Sequence, residues 1–92
     1  MTYAIWKFDL RIVEQQSIDM PKGSRLLHIA EHFGQPRLWA LVDTTADKIP
    51  RGFVIVGTGH LAPAPDDPFS YVGTFQSQGF IGHVFDAGER PA

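Results

Sequence analysis

The sequence predicts an all-β fold, a small antiparallel barrel or sandwich of six to seven strands with at most one short helix. Three observations predict it. Apolar and charged residues alternate strictly over residues 6–12, a run that is apolar on both parities follows at 37–43 and a run of β-branched and aromatic residues at 52–57, and glycine or proline interrupts the chain between such runs. Parallel strands would need helical crossovers, and no segment has a helical pattern of that strength.

The first strand is predicted by the segment WKFDLRI. Its apolar positions follow a spacing of two and are separated by charged ones, a pattern that places one face of a strand in the core: Trp6, Phe8, Leu10 and Ile12 against Lys7, Asp9 and Arg11. A shorter alternating segment continues through Ile18 and Met20. Pro21 and Gly23 then favour a tight turn, so we expect a hairpin between this segment and the next strand.

The middle of the chain predicts two central strands. RLWALVD and GFVIVG are apolar on both parities, as expected of strands that are covered on both faces. The polar segment TTADKIPR between them holds Pro50 and predicts a loop, and the proline-rich residues 61–68 predict a second, extended loop. SYVGTF and FIGHVFD then form a last pair of strands around QSQG. We expect one domain over residues 1–92, frayed from about residue 87 to 92.

Composition excludes several classes of function. Eight Lys and Arg residues against ten Asp and Glu give a net charge of −2, whereas nucleic-acid-binding proteins concentrate basic residues on one face. The chain has no cysteine, which excludes disulfides, thiolate zinc sites and cysteine nucleophiles. No apolar run approaches the ~18 residues of a membrane span. The opening segment lacks the pattern of a signal peptide, so we expect a cytoplasmic protein without a membrane association.

The segment HIAEH, residues 28–32, matches a zinc-peptidase signature, H-x-x-E-H. The signature binds metal only on a helix, where positions i and i+4 lie about 6 Å apart on one face. On a strand the same positions lie roughly 13 Å apart, too far for one zinc ion. Turn signals on both sides favour a strand, and we therefore expect His28 and His32 to lie on one strand face without a shared metal. We predict no cofactor.

The segment GTGH, residues 57–60, is the first candidate binding site. Two glycines flank Thr58 at the end of an apolar strand, where exposed backbone N–H groups can bind an anion. The alternative is a purely structural role, in which the glycines permit a sharp bend at the end of the strand. Thr58, Gly59 and His60 are the candidate residues. The triplet VGT occurs here at residues 56–58 and again at 72–74, an echo too short to indicate a duplication.

Other polar residues suggest no catalytic set. His83 alternates with Ile81 and Phe85 in the last strand, which favours a half-buried structural histidine. Asp66 and Asp67 are adjacent in an extended loop, so their side chains diverge and do not form a general acid and base pair. We find no nucleophile with a base and an orienting group, although residues distant in sequence could still assemble one.

Aromatic residues make up 12% of the chain and lie mostly in predicted strands. Most belong to the core, because a small β domain relies on bulky side chains. Those left exposed are more typical of partner or subunit contacts than of base stacking, since no basic groove accompanies them. Trp39 and Tyr71 are the candidates for such a contact, and a homodimer is a plausible assembly.

Six motifs occur in an order and spacing that resembles a family of small proteins from tailed bacteriophages and prophages: IWKFDL, MPKG, LWALVD, GTGH, YVGTFQ and GHVFD. The resemblance spans residues 5–86 and does not include HIAEH. That family has no established activity, so it assigns no role to any residue.

The resemblance implies a context, the cytoplasm of an infected host, where small accessory phage proteins often bind and block a host protein. We therefore expect a non-enzymatic binding protein, most concretely an antagonist of a bacterial defence component. The alternative is an oligomer that binds or sequesters a nucleotide or another small anionic signalling molecule, and the least favoured reading is a metal-dependent hydrolase.

Overall fold

The computed structural model describes residues 1–91, and they form seven β-strands without a helix. The strands are β1 (Tyr3–Asp9), β2 (Gln15–Pro21), β3 (Arg25–His32), β4 (Gln35–Asp43), β5 (Lys48–Gly57), β6 (Ser70–Ser77) and β7 (Phe80–Glu89). The predicted all-β class and strand number are confirmed. Within residues 1–91 there is accordingly no helix that could cross a membrane.

The strands form two antiparallel sheets that pack face to face. One sheet has three strands in the order β1-β4-β3, and the other has four in the order β2-β5-β7-β6. Two hairpins supply adjacent pairs, β3–β4 and β6–β7, and the second of these was predicted from the QSQG turn. All pairings are antiparallel, as the absence of crossover helices requires.

The predicted hairpin around Pro21 and Gly23 is wrong. β2 pairs with β5 and β3 pairs with β4, so the chain changes sheets at this turn instead of reversing within one. The hydroxyl of Ser24 donates a hydrogen bond to the carbonyl oxygen of Pro21 and closes the turn locally. Turn residues determine that the chain bends, but they do not determine which strand the next segment pairs with.

The core lies between the sheets and draws on both. Strands β2 to β7 and the connection after β1 all contribute to it; the buried cluster is Leu10, Met20, Ile29, Leu38, Phe53, Ile55, Phe75 and Val84. Phe75 on β6 lies directly opposite Gly82 on β7, and a methyl group at Gly82 would meet the Phe75 ring. Gly82 therefore makes room for an aromatic ring in a thin core.

The boundaries of β1, β5 and β7 differ most clearly from those predicted. β1 ends at Asp9, and Ile12 lies exposed in the connection to β2. β5 begins at Lys48 and contains Pro50, whereas the sequence predicts a loop at this proline. Proline is tolerated there because Pro50 lies opposite Arg90, just beyond the end of β7: its carbonyl oxygen accepts a hydrogen bond from Arg90 N–H at 2.8 Å, and its missing N–H faces no residue of β7. β7 continues to Glu89, three residues into the segment that we expected to fray, and Ala92 lies outside the described residues.

The central strand β4 is less covered than predicted, whereas β5 has buried side chains on both parities, Phe53 and Ile55 on one and Val56 on the other. β4 is flanked by two strands, and its side chains alternate between buried and partly exposed along the whole element. Leu38, Ala40 and Val42 face the core, whereas Trp39 and Leu41 lie on the outer face, over which no further layer packs in residues 1–91. A small two-sheet fold has too few elements to cover both faces of a sheet.

One ion pair links β5, β7 and the turn between β2 and β3 at the edge of the core. The guanidinium of Arg51 on β5 donates two hydrogen bonds to the carboxylate of Asp86 on β7, at 3.1 and 2.7 Å. A third Arg51 N–H donates to the carbonyl oxygen of Ser24. Both side chains are largely buried, at 14% and 11% exposure. The paired geometry satisfies both charges where water has little access.

Candidate functional site

A chain of hydrogen-bonded side chains crosses the outer face of the four-stranded sheet. The Thr58 hydroxyl lies 2.7 Å from Nε2 of His83, and the Thr74 hydroxyl lies 2.9 Å from Nδ1 of the same ring. The Tyr71 hydroxyl contacts the Thr74 hydroxyl in turn. We call these four residues the relay. Their elements meet because β7, which carries His83, lies between β5 and β6.

Both nitrogens of His83 are therefore engaged. A neutral imidazole has one N–H donor and one acceptor, so one threonine hydroxyl accepts a hydrogen bond from the ring and the other donates one. No carboxylate occupies the third position of the relay, where hydroxyl–imidazole catalytic sites commonly have one to stabilise a charged ring. The arrangement can orient hydroxyl groups toward a ligand.

Register explains how the relay forms. Val56 on β5 and Thr74 on β6 both lie opposite His83. β5 ends at Gly57, and the following turn, in which His60 N–H donates to the carbonyl oxygen of Gly57, brings Thr58 over the imidazole. Gly59 has a φ of +87°, a left-handed conformation that favours glycine. The GTGH segment, residues 57–60, is thus both a structural turn and part of the relay.

Two adjoining grooves flank this turn. The relay groove has a volume of about 270 Å³ and is lined by Val56, Gly57, Thr58, Gly59, His60, Ala62, Tyr71, His83 and Phe85. The wide groove has a volume of about 470 Å³ and is lined by Ile12, Val13, Glu14, Ile55, Val56, Gly57, His60, Leu61 and Phe80. They share Val56, Gly57 and His60, so His60 stands between them. We call the two together the grooved face.

Apolar side chains dominate the rim of the grooved face. Leu61 is 98% exposed, and Ile12, Val13 and Tyr71 are exposed as well. The Tyr71 ring packs edge-on against Phe85 at a centroid distance of 5.4 Å, which holds it upright beside the relay. Among the lining residues in the described part of the chain, Glu14 is the only carboxylate, and neither groove is lined by a lysine or arginine.

Four of the five predicted site residues lie together. Thr58, Gly59, His60 and Tyr71 all line the relay groove. Trp39 does not join them, because it lies on β4 in the three-stranded sheet. Its ring stands between two histidines of β3, with centroid distances of 6.1 Å to His28 and 5.9 Å to His32.

The H-x-x-E-H segment forms strand β3, as predicted. The shared contact with Trp39 shows His28 and His32 on one face of that strand, with the indole between them. Residues 1–91 contain no cluster of three or more His, Asp or Glu side chains arranged to hold a metal ion. The helical spacing that the zinc signature requires is therefore not available.

Sequence reasoning missed two members of the relay, Thr74 and the functional placement of His83. The repeated VGT triplet relates the two threonines but gives no signal for the histidine. The triplets end at Thr58, in the turn directly after β5, and at Thr74, within β6, and these two strands flank β7. Each triplet supplies one hydroxyl to His83, although the pairing that brings them together is invisible in the sequence.

Comparison with known proteins adds a family. A family model described as a domain of unknown function, DUF7352, matches residues 1–92. The chain belongs to this family. No curated protein and no solved structure matches the chain. Membership of the family assigns no activity, so the site must be interpreted from its own geometry.

Proposed function

We propose that this protein is a non-enzymatic binding protein whose grooved face takes up an apolar segment of a protein partner. The observation that carries the proposal is the pair of adjoining grooves, bordered by exposed apolar residues and almost without charge. Small domains seldom leave contiguous apolar surface exposed unless it contacts a partner.

Charge supports a protein partner over the nucleotide alternative. A phosphate group is usually held by arginine, lysine or a set of convergent backbone N–H groups. The only carboxylate that lines the described grooves is Glu14, which repels an anion. The partner that fits is an aliphatic or aromatic side chain flanked by neutral or basic residues.

The relay supports binding over catalysis. His83 has hydrogen bonds at both ring nitrogens, and Thr74 stands where a carboxylate would be needed to stabilise a charged imidazole. Tyr71 and Thr58 instead present oriented hydroxyl groups beside apolar surface. Such sites, mostly apolar with a few fixed polar groups, are typical of specific recognition.

The resemblance to small phage and prophage proteins suggests the identity of the partner. We propose that the protein acts in a bacterial host cell and that its target is a host protein, with a defence component as the most concrete case. Expression of the chain in a bacterium that restricts a phage should then restore plaque formation.

The direct test compares two matched variants. Leu61→Glu introduces a charge into the wide groove, whereas Leu27→Glu makes the same change at an exposed position of β3, outside the grooved face. Both side chains are exposed, so both variants should fold. A partner captured from bacterial lysate and then purified should bind wild type and Leu27→Glu equally, and Leu61→Glu at least about tenfold more weakly.

Equal binding of the partner by Leu61→Glu and Leu27→Glu would show that the grooved face is not the binding site. A thermal-shift panel tests the nucleotide alternative with the same proteins. A rise in melting temperature with a nucleotide that is lost in Thr58→Val would overturn the protein-partner reading in favour of a small ligand.

A further inference from the structure

We propose that β1 is a dimerisation edge, at which two copies of this chain pair antiparallel about a two-fold axis at Trp6. The two three-stranded sheets would then join into one continuous six-stranded sheet. The proposal rests on the direction of the β1 backbone groups and on a comparison with the other sheet edges, and it does not depend on the grooved face.

The hydrogen bonds at the ends of β1 define which backbone groups are free. Leu10 N–H donates to the carbonyl oxygen of Pro36 at 3.1 Å, and Thr44 N–H donates to that of Thr2 at 2.7 Å. Even-numbered residues of β1 therefore direct their N–H and C=O groups toward β4, because these directions alternate along a strand. The odd-numbered residues Tyr3, Ile5, Lys7 and Asp9 direct theirs away from the sheet.

The other three edges carry features that discourage pairing. In β2, the odd-numbered residues direct their backbone groups away from β5, and one of them is Pro21, which has no N–H to donate to an added strand. β3 has a register irregularity at Leu27, and β6 has one at Val72. Bulges of this kind distort an edge and are common protections against strand addition.

β1 is a regular edge without proline. It pairs with β4 without a register shift over all seven residues, from Tyr3 to Asp9, whereas β3 and β6 have register shifts and β2, equally regular, ends in Pro21. Two of the odd-numbered residues of β1 have exposed apolar side chains on the outer face of the sheet, Tyr3 at 64% and Ile5 at 62% exposure. A regular, exposed strand with apolar side chains is the kind of edge that accepts another strand.

A second copy is the occupant that fits this edge. A two-fold axis at Trp6 overlaps the whole strand and places Tyr3 opposite Asp9 of the second copy, and Ile5 opposite its Lys7. Antiparallel pairs of these outward-directed residues would form about eight backbone hydrogen bonds. No like charges then lie opposite one another, the Lys7 stem lies along Ile5, and the half-buried Trp6 gains cover across the axis.

Neighbouring registers are poorer. An axis at Ile5 would pair Tyr3, Ile5 and Lys7 of each copy but leave Asp9 outside the paired strands, so fewer hydrogen bonds would form. An axis at Lys7 would place the two Lys7 ammonium groups opposite each other, which is destabilising. An axis at Phe8 would leave Tyr3 and Ile5 without a partner strand. A shift of the pairing by an odd number of residues would match outward-directed groups with groups already bonded to β4.

Hydrogen exchange of the wild-type protein tests the proposal without any variant. At low concentration the outward N–H groups of Ile5 and Lys7 should exchange fast, while those of Ala4, Trp6 and Phe8 stay protected by β4. At concentrations where sedimentation detects a mass of twice 10.2 kDa, Ile5 and Lys7 should become protected too. A monomer at all concentrations up to about 1 mM, or a dimer in which Ile5 and Lys7 still exchange fast, would overturn it.

A proline variant supplies a second test. Ile5→Pro removes an outward donor and leaves the hydrogen bonds between β1 and β4 intact, because the Ile5 N–H does not point to β4. We expect a folded monomer. Ile5→Ala keeps the N–H and should dimerise more strongly than Ile5→Pro. Leu61→Glu, on the grooved face, should dimerise like wild type. A dimer that persists in folded Ile5→Pro would contradict the pairing of two β1 strands.

Discussion

The hydroxyl oxygen of Thr58 lies 2.7 Å from Nε2 of His83, although the two residues are 25 positions apart in the chain. The contact exists because β5 and β7 are neighbours and because the turn after Gly57 folds back over β7. On the other side of the ring, Thr74 forms the matching contact from β6. One imidazole is thus held between two threonines that end the same short triplet.

The first prediction concerns this relay. Thr58→Val keeps the shape of the side chain and removes its hydroxyl, so Nε2 of His83 must find water instead. Because the site is partly open to solvent, the free energy of unfolding should fall by less than about 1 kcal/mol. The ¹⁵N shift of His83 Nε2 should nevertheless change, because water replaces the threonine hydroxyl as the partner of that nitrogen. Thr58→Ser, which restores the hydroxyl, should resemble wild type, and unchanged His83 shifts in Thr58→Val would contradict the relay.

The second prediction concerns the buried ion pair. Arg51→Met leaves the Asp86 carboxylate largely buried without its counter-charge, and should lower the free energy of unfolding by about 3 kcal/mol. Arg37→Met is the matched control. Its partner Asp9 is 60% exposed, so this loss should cost under about 1 kcal/mol. Urea unfolding measures both variants, and equal losses would contradict the difference in burial.

The third prediction concerns the glycine under an aromatic ring. A methyl group at Gly82 would lie 2.5 Å from Cζ of Phe75, so Gly82→Ala should destabilise the fold by about 1–3 kcal/mol through overpacking. Gly73→Ala is a suitable control, because its methyl group would lie 3.4 Å from Cβ of Ile29, an ordinary contact. Thermal unfolding should separate the two variants clearly. Equal melting temperatures would argue against close packing at Gly82.

The fourth prediction concerns acid stability. The hydroxyl of Thr45, with its backbone N–H second, donates hydrogen bonds to the Asp43 carboxylate and lowers the pKa of that group. A carboxyl whose pKa is lower in the folded state adds stability above its unfolded pKa of about 3.9, and that stability is lost as the pH falls through the folded value. The advantage of wild type over Asp43→Asn should therefore be constant near neutral pH and shrink below about pH 4. Melting temperatures over this range check it, and an advantage that grows in acid would contradict it.

Local patterns in the sequence determined the strands. The strict alternation from Trp6 to Leu10 predicted β1, since only a strand places every second side chain on one face. Glycine and proline on both sides of residues 24–33 predicted that HIAEH is a strand. On a strand, the two histidines of this segment lie too far apart to bind one zinc ion. Local signals also predicted four of the residues that line the relay groove. Thr58, Gly59 and His60 were predicted from the GTGH segment, and Tyr71 as an aromatic residue in a strand.

Strand partners were decided by the tertiary structure. A period of two assigns a residue to a face, but it does not say which strand lies beside it. The turn at Pro21 and Gly23 looks like a hairpin turn in sequence, yet packing sends β2 to β5 and β3 to β4. Pro50 was likewise assigned to a loop because its tolerance depends on where β7 ends.

The sequence by itself determined the fold class, most of the strands and the turn that carries Thr58, because these depend on side-chain periodicity and backbone restrictions within a few residues. Only the tertiary structure decided that Thr58, Thr74 and Tyr71 converge on His83, that Trp39 lies on a different sheet, and that β1 is left as a regular open edge. These relationships depend on pairing between segments tens of residues apart, which alternation alone leaves open.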